Sequence, residues 1–307
     1  MKRFLPVALV LGLMAMLHPA GSASAEVVDL SDAPAYPEIT VTTESVTGSR
    51  DIVLLGADLV EIAIALGASD RVLARHLAPG LTGVDDIPHV FRERPGIEGI
   101  AAMRPGTVIA SNIRFDSLRN GLEQIGIQTA LIDRTLPATQ KVRRLAAHLG
   151  AEDRGEALVA AIEQEYANAP TVTAPDGEKL RIMHASKAGA GGNFSVGGSG
   201  TAVHNLIQRV GGINPAAEIG KDRYRGVTPE GILLMKPDVV LISAEEMDVF
   251  GNLDRFWTEY PGIALTPAGR NKRIIIMRDM HVRADAASSG IATRALSEGL
   301  AQMFEEQ

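Results

Sequence analysis

Seven histidines and no cysteine set the range of chemistry open to this 307-residue chain. Without cysteine there is no disulfide, thiolate metal site, cysteine nucleophile or covalent attachment of a c-type haem. The histidines stand singly and no H-E-x-x-H occurs. A free zinc or manganese site needs three or four converging His and carboxylate ligands, and His76, His89, His184 and His281 are available for it. His204 reads as a core or surface residue of a helix. Ser199 lies between Gly198 and Gly200, but the G-x-S-x-G spacing of a nucleophile elbow is not met. The stretch from Gly189 to Gly200 allows close backbone approach to a flat ligand or an anion. It fits neither G-x-G-x-x-G nor G-x-x-x-x-G-K-[ST], so a nucleotide cradle is not expected.

The elements that would position these residues alternate. Asp51–Leu55, Arg71–Ala74, Thr107–Ala110 and Thr129–Ile132 read as strands, with helices over 58–66, 97–103 and 115–125 between them. Such βαβ spacing predicts a largely parallel sheet. A helical period then runs from Ala138 to Ala169, with Gly150 and Gly155 as weak points and Pro170 as its stop, and predicts one long strut. Alternation restarts at Leu180–Met183, which places His184 at a strand's carboxyl end, where open α/β sheets gather ligands. The second half repeats the first: Glu98–Ser111 (EGIAAMRPGTVIAS) matches Glu230–Ser243 (EGILLMKPDVVLIS) position for position, and Gly56–Gly67 echoes Gly200–Gly211. Two similar α/β lobes flanking the strut are expected.

Residues 1–25 carry Lys2 and Arg3, an apolar run from Phe4 to Leu17, and Ala23-Ser24-Ala25, the pattern of a cleavable signal peptide. The expected divisions are therefore a leader over 1–25, a first lobe over 26–137, a linking helix over 138–170 and a second lobe over 171–307. Apolar residues make up 46% of the chain, enough for one large core or two medium ones. Aromatics are only 4%, which argues against base-stacking platforms, and the formal charge of −7, or −9 once Lys2 and Arg3 leave with the leader, argues against nucleic acid as a partner.

Several stretches carry a resemblance: Leu55-Gly56 with Glu61–Gly67, Glu98–Ser111, Gly197–Ala202, Gly211–Asn214, Tyr224–Glu230 and Pro261–Asn271. The chain resembles the haem-binding subfamily of periplasmic binding proteins that serve metal-chelate ABC transporters, from about residue 50 to the C-terminus. The resemblance implies two Rossmann-like lobes bridged by a long α-helix, with haem as a transported ligand in the cleft between them and no catalytic cofactor. It also implies a monomer in the periplasm, which docks one carboxylate per lobe on a membrane permease with its ATPase subunits. Glu98 and Glu230 are equivalent by the repeat and are the docking candidates, with Glu93 as the first-lobe substitute. Each also stands where a carboxylate favours a helix N-terminus.

One departure matters. Members of the subfamily usually carry an axial Tyr in the loop after the second strand, where this chain reads His76-Leu-Ala-Pro-Gly-Leu-Thr-Gly83. His76 and His89 are the available first-lobe substitutes, since neutral imidazole is a good ligand of haem iron. In the second lobe Tyr224-Arg225 matches the cleft-facing pair of the family: a phenolate can ligate ferric iron and a guanidinium suits a propionate. His184 is a further ligand-binding candidate, and Arg283, beyond His281, is a candidate contact to a carboxylate. Ferric siderophore or cobalamin binding is the alternative within the same transporter class. A lyase or chelatase on a similar fold would be distinguished by turnover of a tetrapyrrole with ferrous ion.

Overall fold

A computed structural model describes residues 26–41, 46–78, 80–187, 194–260 and 262–305. The leader over 1–25 and the Gly-rich residues 189–193 lie outside them.

The chain enters through β1 (Val27–Asp29) and then builds a first lobe from β2 (Ile52–Leu55), α1 (Ala57–Ala65), β3 (Val72–His76), β4 (His89–Phe91), α2 (Ile97–Ala102), β5 (Thr107–Ala110), α3 (Asp116–Gln124) and β6 (Gln128–Leu131). Two helices follow, α4 (Ala138–Leu149) and α5 (Glu152–Asn168). The second lobe comprises β7 (Ile182–Ser186), β8 (Ser195–Gly197), α6 (Ala202–Arg209), α7 (Pro215–Glu218), β9 (Tyr224–Gly226), α8 (Pro229–Met235), β10 (Val239–Ser243), α9 (Met247–Phe250), α10 (Leu253–Glu259), α11 (Pro267–Asn271), β11 (Ile274–Met277), α12 (Asp279–Arg283) and α13 (Ser289–Glu305).

The first sheet is wholly parallel, in the order β4-β3-β2-β5-β6. The second runs β1-β11-β10-β7-β8-β9, parallel as far as β7 and antiparallel beyond it. In the first sheet the strand order reverses between β2 and β5, and in the second the crossover falls between β7 and β10. Crevices at the carboxyl ends of strands beside such reversals are where α/β sheets bind ligands. The internal repeat extends to backbone conformation: Arg104 and Lys236, equivalent in sequence, both take the left-handed conformation (φ 51° and 45°) before the equivalent strands β5 and β10.

Three expectations are corrected. The strut is two helices. Gly150 ends α4 at φ 66° and ψ 40°, a left-handed cap that carries the chain into α5. Gly155 lies within α5, where an added Cβ would come 2.5 Å from that of Ala146, so here the glycine brings the two helices together. The entering segment belongs to the second lobe's sheet: Val27–Asp29 pair with Ile274–Ile276, and the Glu26 carboxylate meets Arg273 at 2.7 Å. Strand β7 begins two residues later than expected, so His184 falls inside it, opposite Leu241 of β10.

Each lobe has apolar clusters of its own, and a further one spans both. One hydrophobic cluster joins Leu59, Val60 and Ile62 of α1 and Leu145 and Leu149 of α4 with Met280, Ala284, Ala286 and Ala287 of the second lobe. Tyr36 and Ile39, which follow β1, pack on the same cluster and so strap the seam. Glu61, in α1, is buried at this seam and accepts the Ser288 N–H at 3.2 Å.

Gly150 has nothing within 4 Å of an added Cβ, so its replacement tests backbone conformation alone. Gly150→Ala is expected to lower the unfolding free energy by about 1 kcal/mol in a denaturant titration, the cost of a left-handed L-residue. Desolvation, which outweighs its bonds to Ser288 and the Lys141 charge, raises the Glu61 pKa from 4.5 to about 8. The folded state thus holds a proton that the unfolded chain has released, and this contribution to stability is full below pH 4.5 and lost as pH rises through about 8. The stability of wild type relative to Glu61→Gln should fall over that window; a pH-independent difference would contradict the assignment.

Candidate functional site

The cleft opens where strand ends of both lobes face each other. One cavity, of about 230 Å³, is walled by Gly56, Asp58, His76, Ser111 and Arg134 from the first lobe and by Asp279, Met280, Arg283 and Ala284 from the second. A neighbouring one, of about 310 Å³, is walled by Asn112, Ile113, Arg114 and Arg134 opposite Gly200, Thr201 and Arg223-Tyr224-Arg225. The two share Asn112, Arg114 and Arg134. Gly56 follows β2 at the reversal of the first sheet, and a Cβ there would stand 2.1 Å from Ser111 Oγ, so no other residue lets β2 and β5 end so close together.

His76 is the last residue of β3 and lines the first cavity. Its ring lies between Phe91 and Phe115, with centroids at 6.3 and 5.7 Å, and its buried Nε2 has no hydrogen-bond partner. Burial, assisted by the Arg114 charge, lowers its pKa, so the imidazole is neutral with a lone pair available. Tyr224 opens β9 on the opposite lobe and lines the second cavity, and its buried hydroxyl likewise lacks a partner. Desolvation pushes that phenol up to about 12.

Beneath Tyr224 lies an ionic lattice of which the sequence reading named Arg283 alone, as a candidate contact to a carboxylate; the carboxylates it meets are the protein's own. The Arg283 guanidinium sits 5.0 Å from the Tyr224 ring centre. It donates to Asp279 Oδ1 at 2.5 Å, Glu246 Oε2 at 2.8 Å and Ser186 Oγ at 2.7 Å. Ser186 ends β7 and Glu246 follows β10, so the lattice occupies the crossover point of the second sheet. The i, i+4 spacing of Asp279 and Arg283 was the only sequence signal for it.

The cleft is cationic although the chain is acidic. Arg114, Arg134 and Arg225 line it with no carboxylate at ion-pairing distance among the described residues, while Arg223 has Asp222 at 3.9 Å. Arg114 stacks over Phe115 at 5.1 Å. Of these, only Arg225 was singled out in the sequence: Arg114 and Arg134 follow β5 and β6 without any motif to mark them.

The other candidates lie elsewhere. His89 is exposed on the edge strand β4 and does not reach the cleft, because the chain after β3 turns back into a strand. His184 is fully buried behind Tyr224, with ring centroids 5.7 Å apart, and both its nitrogens lack partners. His281 turns toward the entering segment, where Nε2 donates to the carbonyls of Pro34 and Ala35 at 3.1 and 3.2 Å. Ser199 donates to the Lys221 carbonyl, and His204 lies 3.4 Å from the Asn214 amide. Among the described residues, no three His, Asp or Glu side chains converge as a metal site and no helix is long and apolar enough to cross a membrane. Glu98 and Glu230 are exposed in the first turns of α2 and α8, one on each lobe.

Residues 52–280 match the family described as periplasmic binding protein. The chain belongs to that family. It is a periplasmic binding protein and not an enzyme. Similar solved structures include the periplasmic heme-binding protein RhuT from Roseiflexus sp. RS-1 in apo form, at 28% identity and TM-score 0.71, over 83% of this chain and 99% of that one. The periplasmic heme-binding protein BhuT in complex with two hemes has 24% identity and TM-score 0.70, over 83% and 99%. Heme binding protein HutB of Vibrio cholerae has 22% identity and TM-score 0.68, over 82% and 98%. The last two likenesses show the shared fold alone. No curated protein matches the chain.

An apolar residue in place of His184 removes two buried, unpartnered ring nitrogens, each of which costs folding free energy. His184→Leu is therefore expected to raise the unfolding free energy by about 1 kcal/mol in a denaturant titration. A loss of that size instead would give His184 a polar partner in solution.

Proposed function

We propose that this protein captures haem in the cleft between its lobes and delivers it to an ABC permease. The observation that carries this reading is the pairing of His76 Nε2 and Tyr224 hydroxyl. They come from opposite lobes, are buried and without partners, and line adjoining cavities edged by Arg114, Arg134 and Arg225, which have no carboxylate at ion-pairing distance among the described residues.

Each feature fits one part of the ligand. The neutral His76 imidazole donates a lone pair to ferric iron without first losing a proton. Tyr224 ligates as phenolate and must give up its proton on binding, which its raised pKa opposes until the iron arrives. Arg114, Arg134 and Arg225 suit the two propionates, since a guanidinium pairs with a carboxylate by forked hydrogen bonds. Leu77, Ile113 and Phe115 offer apolar surface to the porphyrin. The 28% identity to the heme-binding protein RhuT supports the same ligand.

For delivery, Glu98 and Glu230 are the proposed permease contacts. The residue's own backbone N–H and, after it, the Thr228 side chain hold the Glu230 carboxylate below its ordinary pKa, hence ionised and ready to meet a basic partner. We further propose that residues 1–25 direct export and are then cleaved, and that the protein acts as a monomer with the permease and its ATPase subunits as partners.

Hemin titration of the mature protein should give a saturable Soret shift. His76→Ala or Tyr224→Phe should weaken binding by about tenfold or more and change the spectrum, as loss of an iron ligand does. His89→Ala should bind as wild type. Absence of a saturable shift would abandon haem in favour of a ferric siderophore or cobalamin, to be titrated next.

A further inference from the structure

We propose that Lys141 sets the aperture of the cleft from behind its wall and thereby governs how long the ligand is held, an inference that rests on reading the cleft as the haem site. Lys141 belongs to α4 and occupies a core position in that helix's buried stripe, alongside Ala138, Val142, Leu145 and Leu149. It is fully buried and does not line the cleft. Its ammonium has three N–H groups and meets three acceptors: the Ala284 carbonyl at 3.0 Å, the Arg134 carbonyl at 3.4 Å and Asp58 Oδ2 at 3.5 Å.

These acceptors come from three separate elements. Asp58 is in the first turn of α1, Arg134 follows β6, and Ala284 ends α12 on the second lobe beside Arg283. All three residues line the cavity that holds His76. One side chain on the linker thus ties both walls of the cleft to a common point. Its hydrogen bonds lie in low dielectric, where losing the donor leaves two carbonyls and a carboxylate without a partner that water replaces poorly. Lys141 is a positioning residue, since it touches neither the iron ligands nor the cavity.

The full mature chain carrying Lys141→Met tests this in two ways. Haem release to excess apomyoglobin should be about tenfold faster, the ratio that about 1.4 kcal/mol gives, while the Soret band of the loaded protein stays at the wild-type position. Because the chain has no cysteine, Gln124→Cys on the first lobe and Asp254→Cys on the second give a clean pair of spin labels, both at exposed positions. Their distance distribution, narrow in wild type without ligand, should broaden. Wild-type release, an unchanged distribution or a displaced Soret band would each overturn the proposal. If Lys141→Met does not fold, Lys141→Gln, which keeps two N–H donors and loses the charge, carries the same readouts and outcomes. The spin-label measurement needs no haem, so a failure of the haem reading leaves it standing as an independent test of the strut.

Discussion

One apolar cluster is shared by the two lobes, and it fixes the walls of the cleft relative to each other. The segment from Ala284 to Ser288 belongs to the second lobe by sequence, yet it is buried at the seam with α1 of the first lobe and α4 of the linker. Its backbone is gripped from two sides, the Lys141 ammonium donating to the Ala284 carbonyl and the protonated Glu61 carboxyl accepting the Ser288 N–H. Apolar burial across this seam carries the stabilisation, and the buried polar groups fix its register, because each has one set of partners and leaving them unpaired is costly.

Within that frame the site is built by withholding partners. A buried imidazole and a buried phenol hydroxyl without hydrogen bonds are unfavourable in the empty protein, and a ligand that satisfies them recovers the deficit on binding. Arg114, Arg134 and Arg225 likewise have no carboxylate at ion-pairing distance among the described residues, while Arg283 is saturated by Asp279 and Glu246.

Much of the fold was legible in the sequence because β2, α1, β3, α2 and β5 carry clean periodicity and glycine or proline stops, and because Glu98–Ser111 recurs as Glu230–Ser243. The resemblance to haem-binding relatives was equally readable, and it brought Tyr224-Arg225 and His76 to notice. What escaped depends on long-range partners. Val27–Asp29 reads as the start of the first lobe until Ile274–Ile276 are placed beside it. Gly150 reads as a weak point in a helix until its left-handed cap turns the chain. Arg114 and Arg134 carry no motif, since they matter through the absence of a carboxylate nearby, which no local pattern records. His184 moved from a strand end to a strand interior through a shift of only two residues.

The placement of β1 also orders events in time. The strand that opens the described chain has no pairing partner until β11, some 245 residues later, has been made and delivered, because Val27 pairs with Ile274. A chain threaded through a membrane from its N-terminus therefore cannot close its second sheet early, and contacts this distant in sequence are slow to form. The first lobe's sheet, with all its strands between Ile52 and Leu131, can assemble sooner. The second sheet is completed by strands far apart in sequence, so its closure falls late in folding.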